Sequence, residues 1–337
     1  MQPQQDETAV TMERMAAATN LSIVVPCFNE AEVLPETLRR LEELLRKLEA
    51  EGRLSSASRI FFVDDGSRDE TWNLIVRAVD AGSPVVGIRL SRNCGHQTAL
   101  VAGLEASDGD AAVSIDADLQ DDVSAIELML AKFEQGADIV YGVRRSRDGD
   151  SLFKRGTAKA FYRFLGLLGV ETVSDHADFR LMSRRAVAAL GEYQEVNLYL
   201  RGMIPLLGFQ SESVLYDRQG RFAGQSKYPL RRMIGLALNA VTSFSVMPLR
   251  LISVLGILVS LATLFLAVWI LVKAFTHAQL VPGWASTVLP IYFLGGVQLI
   301  GIGIIGEYVG KLYLEAKRRP RYFIDRIHRQ TPDASGR

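Results

Sequence analysis

The sequence predicts an α/β fold, a mostly parallel sheet with helices on both faces, followed by a two-helix transmembrane hairpin. Two observations carry this reading. Residues 21 to 143 alternate apolar strands with amphipathic helices, the pattern whose crossovers cover both faces of a sheet. Beyond residue 250, two long uncharged runs follow one another. Composition agrees: hydrophobic residues make up 48% and charged residues 23%, with a mean hydropathy of +0.13. That mixture is ordinary globular sequence plus a strongly apolar part. Lys and Arg total 38 against 38 Asp and Glu, so no net charge draws the chain to nucleic acid. With Cys27 and Cys94 as the two cysteines, a disulfide scaffold and a CxxC metal or redox site are both excluded.

Residues 1–20 lack the apolar core of a signal peptide and read as a disordered tail. Leu21 to Pro26 (LSIVVP) is an apolar run suited to a strand buried on both faces. Glu30 to Glu51 spaces Leu34, Leu38, Leu41, Leu44, Leu45 and Leu48 helically, with acids early and cations later. Ile60 to Val63 is a second strand, ending in Asp64-Asp65-Gly66-Ser67, and Asp69 to Val79 a helix. Val85 to Leu90 and Gln97 to Glu105 repeat the unit. Ala111 to Ile115 is a fourth strand, ending in Asp116-Ala117-Asp118; Val123 to Gln135 is a helix and Ile139 to Gly142 a short strand. Phe153 to Leu168 mixes Lys154, Arg155, Lys159 and Arg163 with Phe161, Tyr162 and Phe164. It suits a basic helix lying on a bilayer, or one packed on the domain. The catalytic domain is assigned to 21–228 and a juxtamembrane segment to 229–246.

Leu251 to Val272, bounded by Arg250 and Lys273, holds 22 residues without a formal charge. As a helix it reaches roughly 33 Å, enough for a hydrocarbon core of about 30 Å. No further Asp, Glu, Lys or Arg appears until Glu307. The stretch with Pro282, Gly283 and Pro290 reads as a turn, and the second span as about 287–307. The tail 311–337 is basic, with seven Lys or Arg between Lys311 and Arg329. The turn between the spans holds only Lys273 and His277. The positive-inside rule therefore places both termini and the large domain in the cytoplasm, where the two thiols stay free.

No GxGxxG follows the first strand and no GxxxxGK[ST] occurs, so the usual phosphate cradles are missing. The strand ends instead carry Glu30, Asp64, Asp65, Asp116, Asp118, Asp121 and Asp122. Carboxylates repel a bare diphosphate; they make sense when a divalent cation such as Mg2+ or Mn2+ bridges protein and phosphate. Asp-x-Asp alone is commonly a solvated turn. Placement after successive buried strands, where open α/β sheets bind ligands, raises the functional reading.

These residues carry a resemblance. VVPCFNE (Val24 to Glu30), VDDGSRDET (Val63 to Thr71), SRNCGHQTAL (Ser91 to Leu100) and DADLQDD (Asp116 to Asp122) resemble glycosyltransferase family 2. Its catalytic domain has the GT-A fold, a Rossmann-like α/β arrangement. DFRLMSRR (Asp178 to Arg185), RGMIPLLGF (Arg201 to Phe209), RFAGQSKYPL (Arg221 to Leu230) and GEYVGKLYLEAKRRPRY (Gly306 to Tyr322) are similar to polyprenyl-phosphate glycosyltransferases. That group includes bactoprenol glucosyltransferases and, more distantly, dolichol-phosphate mannose synthases.

The resemblance implies that Pro26, Phe28, Glu30 and Asp65 hold the nucleoside, with Asn93, Gly95 and His96 on the nucleotide side. It implies a metal and diphosphate site at Asp116 and Asp118, with Gln120 a further ligand. Arg180, Arg221, Ser226 and Lys227 would meet the acceptor phosphate or the donor diphosphate. Asp178, two residues before Arg180, reads separately as an auxiliary base, an Arg-orienting group or a plain ion-pair partner. The implied reaction is inverting transfer of glucose from UDP-glucose to undecaprenyl phosphate at the inner membrane. A flippase and a second copy of the chain stand as further partners. GDP-mannose or another nucleotide sugar is the alternative donor. A processive polysaccharide synthase is disfavoured because Trp72, Trp269 and Trp284 are not preceded by Arg. A non-enzymatic scaffold is disfavoured because Asp65, Asp116 and Asp118 are all present.

Overall fold

Strand β1 (Leu21–Cys27) is buried along all seven residues, as its unbroken apolar run requires. A computed structural model describes residues 18–145, 176–196, 198–217, 247–276 and 283–330. The basic helix expected at 153–168, the 229–246 segment, most of the N-terminal tail, and Arg221, Ser226 and Lys227 lie outside the described residues.

After β1 come α1 (Leu34–Ala50), β2 (Arg59–Asp64), α2 (Thr71–Asp80), β3 (Val85–Leu90), α3 (His96–Ala106), β4 (Ala111–Ser114), α4 (Ala125–Glu134) and β5 (Ile139–Arg144). Each lies within a few residues of its expected place. Beyond 176 follow β6 (His176–Ser183), α5 (Arg184–Gly191), α6 (Leu200–Leu206) and β7 (Ser211–Tyr216). Two long helices, α7 (Met247–Thr276) and α8 (Trp284–Ala316), precede β8 (Ile324–His328).

The eight strands form one sheet in the order β7-β5-β6-β4-β1-β2-β3-β8. Strands β4, β1, β2 and β3 run parallel; β6 is antiparallel to β4 and β5, and β8 to β3. The core joins α1, α2 and α4 to this sheet through Leu41, Leu45, Leu48, Ile75, Ile126 and Met129 against Ile23, Val25, Phe62 and Val113. Burying each such side chain contributes about 1.5–3 kcal/mol. On α3, Gly103 lets the helix backbone lie on the sheet. A Cβ there would come within 2.7 Å of Val63 Cγ2 and closer still to Val24.

The chain divides into two compact units. The first comprises the sheet with its helices, including the segment from Arg319 onward. The second holds α7, 30 residues long, and α8, 33 residues long. Within α8, Phe293–Ala316 is long and apolar enough to cross a membrane. Both helices outrun their expected bounds. Pro290, read as part of a turn, is the seventh residue of α8, where it takes one N–H out of the hydrogen-bond ladder. The residues read as a basic tail continue α8 to Ala316 and then form β8 on the edge of the sheet. Ser91 N–H donates to the Phe323 carbonyl at 2.9 Å, and His328 Nε2 lies 2.8 Å from Asp80 Oδ1.

Candidate active site

The carboxyl ends of β1, β2, β3 and β4 open onto one edge of the sheet, and antiparallel β6 begins at that edge. In the β4–β6 register Ser114 faces Arg180, which brings Asp116, two residues past Ser114, level with Asp178. The Ser114 hydroxyl fixes this junction by donating to the Asp178 carbonyl at 2.5 Å.

Five charged or titratable side chains meet there. His96, first residue of α3, puts Nε2 3.3 Å from Asp116 Oδ1 and 3.9 Å from Asp178 Oδ2. Arg180 Nη2 donates to Asp178 Oδ1 at 2.7 Å. Arg201, on α6, donates side-on from Nε and Nη2 to the two Asp178 oxygens, each at 3.3 Å. Burial pushes the Asp116 carboxyl up to about 6; His96 opposes this, while Asp121, Asp178 and Asp118 reinforce it. Burial also works to raise Asp178, but Arg180 and Arg201 outweigh it and hold the carboxyl below its ordinary value. Burial lowers the Arg180 guanidinium, against the pull of Asp178, and arginine stays charged regardless.

The Asp116–Asp118 turn is braced from below. Thr37 on α1 donates its hydroxyl to the Ala117 carbonyl, and Asp118 Oδ1 accepts the Gln120 N–H at 3.2 Å. Leu119 sits at φ 55, a left-handed conformation that costs a bulky residue about 1–3 kcal/mol and persists only where the surroundings impose it. Gln120 and Asp121 are buried. Asp121 Oδ1 accepts from the Tyr216 hydroxyl and from Arg144 Nη2, the latter at 3.2 Å.

The neighbouring loops lock together. Asp65, buried, accepts the Cys94 N–H at 2.6 Å and the Gly95 N–H at 2.9 Å. Burial raises its carboxyl more than those two donors lower it. Gly66, at φ 69, lies so close to this loop that a Cβ would come within 2.8 Å of Asn93 N. Glu30 N–H donates to Thr71 Oγ1 at 2.9 Å, and Phe28 stands 43% exposed at the sheet edge. The structure thus gathers Asp65, Asn93, Gly95 and His96 around one loop, and His96, Asp116, Asp178 and Arg180 around one cluster. Pro26 is buried inside β1, opposite Val63. Cys27 and Cys94 are free, and burial pushes both thiols up, which leaves no thiolate nucleophile among them.

Three participants escaped the sequence reading. Arg201 stood inside the RGMIPLLGF motif without a role; Thr37 and Tyr216 carry no local signal at all. Among the described residues no three His, Cys, Asp or Glu side chains form a complete metal cage.

The family model for glycosyl transferase family 2 matches residues 22–191, from β1 through α5. The chain belongs to that family. It is a glycosyltransferase, on a GT-A-like α/β fold. The glycosyltransferase YkoT of Bacillus subtilis (strain 168) is 49% identical over 308 residues, covering 90% of this chain and 91% of that protein. The glycosyltransferase sll0501 of Synechocystis is 39% identical over 90% of this chain and 94% of its own length. A prophage-derived bactoprenol glucosyl transferase of Shigella flexneri is 38% identical, covering 93% of this glycosyltransferase and 99% of that one. The solved glucosyl-3-phosphoglycerate synthase of Mycobacterium tuberculosis, with Mn2+ and UDP, overlaps at 18% identity. It covers 72% of this chain and 84% of that one, with a TM-score of 0.40, too loose an overlap for comparing sites.

Proposed function

We propose that this glycosyltransferase moves glucose from UDP-glucose onto undecaprenyl phosphate at the cytoplasmic membrane face, with inversion at the anomeric carbon. The observation that carries the reading is one sheet edge with an acidic face, Asp116 and Asp118, beside a guanidinium pair held on Asp178. The relatives named bactoprenol glucosyl transferase, matched over nearly their whole length, support the acceptor and the sugar.

The donor set fits a hard divalent cation, Mg2+ or Mn2+. Burial raises Asp116 and the carboxylates of Asp121, Asp178 and Asp118 add to it, with His96 opposing, and a cation would relieve that repulsion. Such ions keep one or two protein carboxylates and complete their shell with phosphate oxygens and water. Asp116 and Asp118 would hold it, with Gln120 close behind. Bound there, the cation supplies charge stabilisation for the departing diphosphate.

Phe28, Glu30, Asp65, Asn93, Gly95 and His96 would receive the nucleotide. Asp65 does so through the loop it pins. The acceptor phosphate is already anionic, so it needs orientation more than deprotonation. Arg180 would orient it, joined by Arg221, Ser226 and Lys227. Asp178, carrying two guanidiniums and held below its ordinary pKa, suits alignment of those cations better than proton uptake. Helices α7 and α8 would both span the bilayer, with the basic flanks on the cytoplasmic side, and bring a lipid-borne phosphate within reach.

Membranes carrying the chain, offered a panel of labelled nucleotide sugars and polyprenyl phosphate with and without divalent metal, test this. Metal-dependent labelled glucolipid from UDP-glucose is expected, and Asp118→Ala should abolish it. Label from GDP-mannose instead would change the donor; robust turnover by Asp118→Ala would remove the metal role.

A further inference from the structure

The geometry points to Arg201 as a positioning residue of the transfer site, acting through Asp178; this rests on the function proposed above. Arg180 meets Asp178 from within the fold, its side chain 1% exposed on β6. Arg201 differs. Its side chain is 39% exposed and stands on the seven-residue helix α6, yet it meets Asp178 with a planar fork, one nitrogen to each oxygen. An exposed ion pair ordinarily contributes little. This one closes on a carboxylate whose side chain is only 11% exposed, in the bidentate arrangement that fixes orientation as well as charge.

The consequences spread to two neighbours. Asp178 is the shared partner of Arg180 at 2.7 Å and of His96 at 3.9 Å, and His96 in turn stands 3.3 Å from Asp116. A rotation of the Asp178 carboxylate therefore moves the cation proposed for the acceptor phosphate and the imidazole beside the acidic turn together. Helix α6 has a second tie to the same place: Leu200 N–H donates to Gln97 Oε1 at 3.2 Å, one residue past His96. Arg201 and Gln97 thus clamp α6 to the head of α3 and the start of β6. Because Arg201 sets the angle of Asp178, its loss should disturb turnover more than donor binding.

A double-mutant cycle of Arg201→Met and Asp178→Asn tests this in membranes carrying the full chain. Arg201→Met should lower kcat about 10- to 100-fold, the cost of a misplaced group, while KM for the nucleotide sugar stays within about twofold. The double variant should lose no more than Asp178→Asn alone, since non-additivity marks two residues working as one. Arg201→Lys should recover little, because an ammonium cannot reproduce the fork. Unchanged kcat in Arg201→Met, full recovery in Arg201→Lys, or losses that multiply in the double variant each overturn the proposal. Amide exchange across 200–206 gives a readout independent of the donor. It should quicken in either single variant and no further in the double, and unchanged exchange in Arg201→Met overturns the proposal. If the wild-type chain moves no sugar, the proposed function fails while exchange still decides Arg201.

Discussion

The Thr37 hydroxyl on α1 donates at 2.9 Å to the carbonyl of Ala117, 80 residues along the chain. That bond holds the turn between Asp116 and Asp118, just ahead of the left-handed Leu119. Thr37→Val keeps the shape and removes the donor, leaving a buried carbonyl unpaired at about 1–3 kcal/mol. The expected result is a lower Tm together with a higher divalent-metal requirement for turnover. A lower Tm with unchanged metal dependence would mean that the turn is set elsewhere.

Asp116 gives the metal-free protein a pH dependence of definite sign. Its carboxyl ionises at about 6 in the folded chain, against about 3.9 when unfolded. Between those values the native state keeps a proton that the unfolded state has released, so stability falls as pH rises through the window. Asp178 has the opposite sense: its carboxyl is held below the ordinary value, so its contribution is lost only in more acid solution. With chelator present, Asp116→Asn should therefore be more stable than wild type near neutrality, the gap closing below about pH 4. Tm measured across that range decides it. A gap that is constant with pH would show that Asp116 ionises normally.

How much of this was legible in the sequence depends on burial. Strands β1, β2 and β4 are buried along nearly their whole length, so each is a short apolar run, and the acids at their ends, Glu30, Asp64, Asp65, Asp116 and Asp118, stand out in the sequence alone. Strand β8 does not. Its residues Ile324, Asp325, Arg326 and Ile327 are exposed, and its place on β3 is made by backbone hydrogen bonds, which any side chain permits. Arg201 meets Asp178 across 23 residues, and Tyr216 meets Asp121 across 95. Neither pairing leaves a local period. The proline rule failed at Pro290 because it marks one lost N–H, which a 33-residue apolar helix tolerates.

Gly103 tests the packing of α3 on the sheet. The Cβ of Gly103→Ala would collide with Val24 and Val63, both short branched side chains inside buried strands. Overpacking of this kind costs about 1–3 kcal/mol. Because α3 begins at His96, the strain should also reach the site. A reduced urea midpoint with reduced kcat is expected, and wild-type stability would show that α3 can lift away freely.

Tyr216 separates a polar contact from a packing contact. Its ring lies edge-on to Phe179 at 5.3 Å between centroids, a contact that Tyr216→Phe preserves. Its hydroxyl donates to Asp121, whose side chain is 1% exposed and whose Oδ2 has no hydrogen-bond partner among the described residues. Burial and the Asp121 carboxylate both push the phenol up, so it remains a neutral donor throughout the physiological range. Removing the hydroxyl leaves Asp121 with Arg144 at 3.2 Å, and Arg144 Nε loses its own acceptor at 3.1 Å. A hydrogen bond to a charged group contributes about 1.5–3 kcal/mol, so Tyr216→Phe should lower the urea midpoint by that equivalent. Asp121→Asn, which removes the buried charge, should make the second substitution milder. Equal losses from Tyr216→Phe in the wild-type and Asp121→Asn backgrounds would mean that the hydroxyl contributes nothing through Asp121.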